Sequence, residues 1–151
     1  MSQRRQFLLQ ATALLACGPA LTLAESTAAP LMQVYKSPTC GCCGKWVEHM
    51  RKAGFVVETH DVQDVVAYKH QYGVPAELFT CHTAVVDGYI VEGHVPAEDV
   101  LKMLRERPEI KGIGVPGMPI GSPGMEGPDP DDYRTFAFTA DSSYVFAIHR
   151  F

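Results

Sequence analysis

The stretch Ser37-Pro38-Thr39-Cys40-Gly41-Cys42-Cys43-Gly44 decides how this chain of 151 residues is interpreted. Three cysteines fall within four positions, between an apolar run that predicts a strand and residues at helical spacing. Adjacent cysteines do not readily bridge each other, because a disulfide requires facing Cβ atoms. Cys40 and Cys43, however, form a C-x-x-C pair with a third thiol inside it. This arrangement favours either thiol redox chemistry or a soft metal ion.

The pattern of apolar residues and turn residues predicts an α/β fold with a thioredoxin-like βαβαββα core. Asp87-Gly88 between two β-rich runs indicates a hairpin at the third and fourth strands. Residues 108–132 predict a long loop rich in glycine, proline and methionine, and a C-terminal β-hairpin follows it. The predicted strands of the core are Leu31–Tyr35, Phe55–His60, Thr83–Val86 and Tyr89–Glu92, its helices run from Cys43 to Ala53, from Asp61 or Asp64 to Tyr72 and onward from Pro96, and the terminal hairpin joins Phe136–Phe138 to Tyr144–Ile148.

Residues 1–24 have the composition of an export signal, in which Arg4 and Arg5 precede an apolar stretch. The run from Arg4 to Leu8 resembles a twin-arginine signal, and a general secretory signal is the alternative. Polar residues, glycine and proline interrupt the apolar stretch, so it does not predict a membrane span. Cys17 ends a lipoprotein-like box that would permit a lipid anchor, whereas Ala24 offers a second cleavage site.

After a linker at residues 25–30, residues 31–151 have the length of a single compact domain. The signal holds two of the 13 basic residues and none of the 17 acidic ones, so the mature chain has 11 basic residues and a net charge of −6. A negative charge argues against nucleic acid as a partner. Four cysteines in an exported chain ordinarily predict two disulfides, but their clustering leaves at least one thiol without a good partner.

Cys81 lies just before the third predicted strand, which this topology places beside the loop that holds the other three cysteines. Redox enzymes with this fold usually have a proline there, whereas this chain has Thr80-Cys81-His82-Thr83. Four thiolates near the positive end of a helix match Cu(I) or Zn(II) by softness. Because Cys42 and Cys43 are adjacent, they favour bridging of more than one Cu(I) over chelation of a single ion.

Two histidines and two methionines are further candidate ligands, each with an ordinary alternative. His82 adjoins Cys81 but would face away if the strand alternation holds there. His94 follows the fourth strand, at the end of the sheet where the cysteine loop lies. Met118 and Met125 could act as thioether ligands, or anchor the long loop in the core. The remaining residues of interest are interpreted as surface or core positions, namely His49, Met50, His60, His70, His149 and Trp46.

These motifs together resemble a known family, the small exported copper-resistance proteins of the CopG type. The resemblance covers nearly all of the mature chain, and a Cys-x-Cys-Cys motif with a remote Cys-His is far more specific than a lone C-x-x-C. The segments that carry it are 35–43, 81–84, 91–97, 117–119 and 124–126.

The resemblance implies periplasmic copper binding and copper tolerance, with interconversion of Cu(I) and Cu(II). It implies copper ions and other periplasmic copper-handling proteins as partners. The cysteines matching the family's metal-binding cysteines are Cys40, Cys42, Cys43 and Cys81. The alternatives are a thiol-disulfide oxidoreductase that uses Cys40 and Cys43, and a four-cysteine zinc site that only stabilises the fold. We expect a metal-binding protein rather than a metabolic enzyme.

Overall fold

The computed structural model describes residues 28–151, which form a mixed α/β fold. The predicted signal segment, with Cys17, lies outside the described residues, as does the first half of the predicted linker. Among residues 28–151, no helix is long and apolar enough to cross a membrane. The predicted domain, residues 31–151, is described throughout.

The first seven long elements have the predicted order, β-α-β-α-β-β-α. The bounds of each element differ from the predicted bounds by only a few residues. The difference that matters most for the site is at the first helix, which begins before Cys42. These elements are β1 (Leu31–Lys36), α1 (Gly41–Lys52), β2 (Val56–Asp61), α2 (Val65–Tyr72), β3 (His82–Val86), β4 (Tyr89–Glu92) and α3 (Ala97–Glu106).

The C-terminal part differs from the prediction in one element. A short strand, β5 (Gly112–Gly114), lies within the stretch that was predicted as a loop. An alanine Cβ at Gly112 would lie 2.1 Å from the Ile90 carbonyl oxygen, so only glycine permits this pairing. The sequence Gly-Ile-Gly therefore lacks the alternation of apolar and polar side chains that predicts a strand. The predicted terminal hairpin is present as β6 (Tyr133–Phe138) and β7 (Ser143–His149), and a 3₁₀ turn at Ala76–Leu78 was not predicted.

The seven strands found in residues 28–151 form one sheet in the order β2-β1-β3-β4-β5-β6-β7. β1 pairs in parallel with β2, and β4 pairs in parallel with β5, whereas the other pairs are antiparallel. The larger hydrophobic cluster holds buried residues of α1 and α3 against the sheet, including Trp46, Met50 and Met103. A smaller cluster contains Leu78, Ile90 and Phe138.

The pairing register places three chain segments at the same end of the sheet. Lys36, the last residue of β1, is opposite His82, the first residue of β3. Glu92, the last residue of β4, is opposite Thr83. The cysteine motif after β1, Cys81 before β3 and His94 after β4 therefore meet at this end.

Candidate metal centre

Three of the four candidate cysteines lie at the N-terminus of α1. Cys40 is the N-cap residue, and Cys42 and Cys43 belong to the first turn. The Gly44 N–H donates to the Cys40 carbonyl (3.3 Å), which closes that turn. The prediction that the helix begins at Cys43 was therefore wrong by two residues, and Cys42 belongs to the helix rather than the loop. Cysteines in this position lie at the positive end of the helix dipole, which favours their thiolate forms.

Cys40 and Cys43 form a disulfide in this structure, with their Cα atoms 5.4 Å apart. Residues three apart on a helix share one face, and this permits the bond that adjacent cysteines do not readily make. Cys42 and Cys81 form no disulfide within residues 28–151. The expectation of four thiolates therefore applies to the reduced protein, and the oxidised form described here offers two thiols.

Cys81 lies beside the other three cysteines, as the topology predicted. All four Sγ atoms lie within 4.8 Å of one another. This confirms the prediction that Cys81 would lie within roughly 7 Å of at least two of the others, a separation that one ion could bridge with small shifts. Burial, followed by the nearby Cys42 thiol, raises the pKa of Cys81 to about 12. The Cys81 thiol therefore keeps its proton at neutral pH, and a metal ion would have to displace that proton in order to bind.

His94 is oriented as a metal-ligating histidine would be. Its Nε2 lies 3.0 Å from Cys81 Sγ, and its Nδ1 lies 2.7 Å from the Pro123 carbonyl oxygen. A carbonyl only accepts hydrogen bonds, so Nδ1 donates and the neutral ring directs the Nε2 lone pair at Cys81. Burial lowers the pKa of His94 and favours this neutral form.

His82 also lies at Cys81 and does not face away from it. Its Nδ1 is 3.4 Å from Cys81 Sγ, and its ring centroid is 4.3 Å from that of Trp46. Cys81 precedes the strand, so the alternation of side chains does not separate it from His82. His82 is fully buried, which lowers its pKa well below the usual value, and its Nε2 has no hydrogen-bond partner among the described residues.

The two candidate methionines differ in position. Met125 lines a cavity of about 440 Å³ together with Cys42 and Lys45, whereas Met118 is half exposed and does not line this cavity. Next to Met125, Gly124 has φ +88°, and an added Cβ would lie 2.7 Å from the Cys42 carbonyl oxygen. The long loop therefore packs directly on the cysteine motif and brings only one of the two thioethers beside a cysteine.

A buried ion pair supports the segment that carries Cys81. Lys69 Nζ lies 2.6 Å from Glu92 Oε1, and both side chains are almost fully buried. Glu92 also accepts hydrogen bonds from the Thr80 N–H (2.7 Å), the Thr80 hydroxyl (3.1 Å) and the Thr83 hydroxyl (2.7 Å). Glu92 thus holds the chain on both sides of Cys81 and His82.

Gly93 completes this support from the next position of the chain. Its N–H donates to the His82 carbonyl (3.1 Å). Its φ is +71°, and an added Cβ would lie 2.4 Å from Thr80 Oγ1 and 2.9 Å from the Val115 carbonyl oxygen. Sequence reasoning missed both Lys69 and Glu92, because a lysine in a helix and a glutamate at a strand end usually face solvent.

Two residues interpreted as ordinary positions have specific contacts outside the cluster, and a third lies in the core. His49 Nε2 accepts a hydrogen bond from the Ala97 N–H (3.1 Å), so it contacts the start of α3 and is not a free surface residue. His149 Nε2 lies 2.9 Å from the buried Asp99 carboxylate, which also accepts from the Thr135 hydroxyl (2.6 Å). The interpretation of Trp46 as a core residue is confirmed by its full burial.

The fold and this cluster define a class of small α/β proteins with cysteine and histidine side chains grouped at metal-ligand spacing. A solved structure described as "Copper resistance protein copG- Form 2" is 44% identical to this chain, with a TM-score of 0.77, and the match covers 81% of this chain and 99% of that one. A second, "Copper resistance protein copG- Form 1", is 45% identical, with a TM-score of 0.74, and the match covers 79% and 96%. The chain belongs to the CopG copper-resistance protein family, which confirms the family inferred from its motifs.

A family profile described as "Protein of unknown function, DUF411" matches residues 78–125. This segment contains Cys81, both candidate histidines and both candidate methionines. A search of curated proteins gives no match.

Proposed function

We propose that this protein binds copper outside the cytoplasm and contributes to copper resistance, capturing Cu(I) through Cys40, Cys42, Cys43 and Cys81. The observation that carries the proposal is the grouping of the four Sγ atoms within 4.8 Å. Sulfur ligands about 2.3 Å from one ion stand roughly 4 Å apart, so the cluster would reach the spacing of a thiolate site once the Cys40–Cys43 disulfide is reduced and its two sulfur atoms separate. The two solved relatives are copper resistance proteins by name.

The reduced form is the form proposed to hold Cu(I). An external dithiol reductant, which supplies two electrons and two protons, would convert the Cys40–Cys43 disulfide into two thiols and so raise the number of thiols in the cluster from two to four. Thiolates select Cu(I) by softness, and two adjacent cysteines favour bridging of more than one ion. His94, His82 and Met125 would supplement the thiolates at the edge of the cluster.

The remaining parts of the proposal concern fold type and location. We infer a thioredoxin-like core, supported by the order of the first seven elements and the strand order β2-β1-β3-β4. Residues 1–24 would direct export to the periplasm, and residues 31–151 would form the copper-binding domain. Residues 25–30 would link these two parts. Interconversion of Cu(I) and Cu(II) and exchange with other periplasmic copper-handling proteins belong to the same proposal.

Thiol-disulfide exchange is the second candidate function, because the Cys40–Cys43 disulfide lies at a helix N-terminus, where thiolates are stabilised. Two features favour copper over exchange. Cys81 occupies the position where redox enzymes of this fold have a proline. Cys42 lies 3.4 Å from Cys40 Sγ, where its thiol would compete for a mixed disulfide.

The test is competition for Cu(I) between the reduced protein and a calibrated chelator. We expect Cys81→Ser to weaken Cu(I) binding by more than about 100-fold, since loss of an outer-shell partner alone typically costs 10- to 100-fold. Met125→Leu should have a smaller effect, and Met118→Leu is the matched control that should have none. Equal Cu(I) affinity in the wild type and Cys81→Ser would contradict the assignment.

The same variants separate copper binding from disulfide exchange. If exchange is the activity, Cys42→Ser should retain it, because Cys40 and Cys43 still form a pair. If copper capture is the activity, a variant that lacks any one of the four cysteines should fail to restore copper tolerance to cells without the wild-type protein. A Cys42→Ser/Cys81→Ser double variant that restores copper tolerance and reduces a disulfide substrate normally would establish the second candidate.

A further inference from the structure

We propose that β7 is a contact surface through which two copies of this chain associate, with their β7 strands antiparallel about a two-fold axis. β7 (Ser143–His149) is the last strand of the sheet and pairs with β6 on one side. Its other side has no neighbouring strand among residues 28–151, and such an edge can pair with another chain. This surface is separate from the cysteine cluster, and the inference concerns assembly rather than copper binding.

The two edges of the sheet differ in their charged residues. β2, the strand at the opposite edge, carries Glu58 and Asp61, and Asp61 Oδ1 lies 2.7 Å from Lys36 Nζ. Charged side chains on an edge strand oppose pairing with another chain. The β7 sequence, Ser-Tyr-Val-Phe-Ala-Ile-His, contains no aspartate, glutamate, lysine or arginine. β7 therefore lacks the protection that β2 has.

Large apolar side chains of β7 are exposed on both faces of the sheet. Tyr144, Val145 and Ile148 are 50%, 44% and 53% exposed. Val145 is opposite Phe136 in the register with β6, whereas Tyr144 is opposite Ala137, and successive residues of β6 point to opposite faces. A partner that docked on one face would cover only part of this set. A strand placed beside β7 covers side chains on both faces.

The charges at the two ends of β7 match a second copy of the same strand. Asp141 lies in the turn before β7, Arg150 follows the strand directly, and both are exposed. When two β7 strands lie antiparallel, Asp141 of each copy comes to the end of the strand where Arg150 of the other lies. A two-fold axis repeats this pair of opposite charges at both ends. Parallel strands would instead bring like charges together, which opposes association.

A groove with two arginines lies at the end of β7 that would receive Asp141 of the second copy. Its volume is about 520 Å³, and its lining includes Arg134, Arg150 and Asp132. Asp132 Oδ1 accepts a hydrogen bond from the Phe151 N–H (3.1 Å). Neither arginine forms an ion pair with a carboxylate in the part of the chain that the structure describes. Both guanidinium groups are therefore free to meet a carboxylate from another molecule.

A β-bulge limits how strongly the two copies associate. The register of β6 and β7 shifts between Thr135 and Phe136, which leaves Phe146 as the extra residue of β7. A bulge interrupts backbone pairing, so hydrogen bonds between the copies are confined to short stretches on either side of it. The exposed parts of three apolar side chains cover less than the about 800 Å² per partner of a standard interface. We therefore expect a dissociation constant on the order of 10 µM.

Sedimentation equilibrium of the metal-free protein, from about 1 to about 300 µM, tests the association. We expect the mass to rise with concentration from one chain to two and no further. Non-reducing electrophoresis must show single chains, so that a disulfide between copies through Cys42 or Cys81 is not counted as this dimer. A single-chain mass at all concentrations would overturn the inference. A mass that rises beyond two chains would also overturn it, because it would indicate an open arrangement without a two-fold axis.

A lysine on each edge strand in turn shows which edge makes the contact. Val145→Lys places a charge in the proposed contact and should raise the dissociation constant at least about tenfold. Val56→Lys replaces a valine of β2 that is 51% exposed and is the matched control, which should associate as the wild type does. Circular dichroism checks that both variants are folded. Equal dissociation constants in the two variants would contradict β7 as the contact.

Charge reversal tests the antiparallel arrangement independently of the apolar contact. Asp141→Arg and Arg150→Asp each place like charges opposite one another at both ends of the strand, so each variant alone should associate at least about fivefold more weakly. An equimolar mixture should form a mixed dimer, because both pairs of opposite charges are then restored. A mixture that associates no better than the separate variants would overturn the arrangement. Cu(I) competition with Val145→Lys should give the wild-type affinity, so the proposed function and this inference succeed or fail separately.

Discussion

Glu92 and Asp99 are two buried carboxylates with similar surroundings and different structural roles. Each accepts hydrogen bonds from a threonine hydroxyl, and each has a basic side chain beside it. The Glu92 carboxylate accepts hydrogen bonds from Thr80 and Thr83 and so holds the chain on both sides of Cys81. The Asp99 carboxylate ties α3 to the C-terminal hairpin through Thr135 and His149. A buried carboxylate with a basic partner thus supports the candidate metal centre in one region and the packing of the C-terminal hairpin on α3 in the other.

Replacing Glu92 alone should have the largest effect on the fold. Glu92→Leu leaves the Lys69 ammonium buried without a counter-charge, and breaking a buried pair in this way typically costs about 3–5 kcal/mol. Urea unfolding of the oxidised, metal-free protein measures the change. A loss below about 1 kcal/mol would place this pair with exposed ion pairs, and the contrast with Asp99 would disappear.

Acidification should weaken the region around Cys81 next. Burial lowers the pKa of His82 and of His94 below the usual value of 6.5. The unfolded chain then binds more protons than the folded one below pH 6.5, so the free energy of unfolding is unaffected above that pH and falls as the pH decreases towards the folded-state pKa values. Each histidine contributes up to about 1.4 kcal/mol per pH unit.

Unfolding curves of the metal-free protein between about pH 7.5 and pH 5 measure this slope, and its direction follows from the linkage relation. His94→Gln should reduce the slope, whereas Asp99→Asn should retain the contribution of both histidines. A slope that is unchanged in His94→Gln would show that the His94 imidazole takes up its proton without a penalty in the folded state.

Asp99→Asn should have a moderate effect that is confined to stability. The amide keeps the shape of the carboxylate but weakens the contacts to Thr135 and His149, and disturbing buried hydrogen bonds typically costs about 1–3 kcal/mol. Cu(I) affinity in the competition above should be unchanged, since Asp99 does not contact the cluster. A tenfold loss of Cu(I) affinity would show that the two carboxylates are coupled and would remove the distinction between them.

The smallest change in stability is expected when the ion pair is removed as a whole. Lys69→Met/Glu92→Met replaces both charges by apolar side chains, a change that is often close to neutral. The Thr80 N–H then loses its acceptor, so alkylation of Cys81 should become faster while alkylation of Cys42 does not. If the rate at Cys81 is also unchanged, Glu92 stabilises the fold without positioning Cys81.

The elements around the cysteine cluster were predictable because local signals agreed with the fold. Strand-like runs, turn residues and the Asp87-Gly88 hairpin indicated the order of the first seven elements, and this order places Cys81 beside the cysteine motif. β5 was not predictable, because two of its three residues are glycines selected by close backbone contact rather than by a hydrophobic pattern.

Within the candidate site, the sequence indicated the ligand types but not their partners. The orientation of His94 depends on the Pro123 carbonyl, a backbone group that carries no sequence signal. The Lys69–Glu92 pair joins a helix to a strand end far along the chain, and only the folded arrangement shows that both are buried. The disulfide was one of several states consistent with the motif, because a cysteine sequence does not record oxidation state.

Gly93 has a consequence for recognising distant relatives of this protein. A side chain there would collide with Thr80 and with the Val115 carbonyl, so any homologue that keeps this arrangement must keep glycine after the buried glutamate. Gly41, inside the cysteine motif, has nothing within 4 Å of its Cβ position and is free to vary. A search pattern built on Glu-Gly-His together with the cysteines should therefore separate true members from chance matches better than the cysteine spacing with its glycine does.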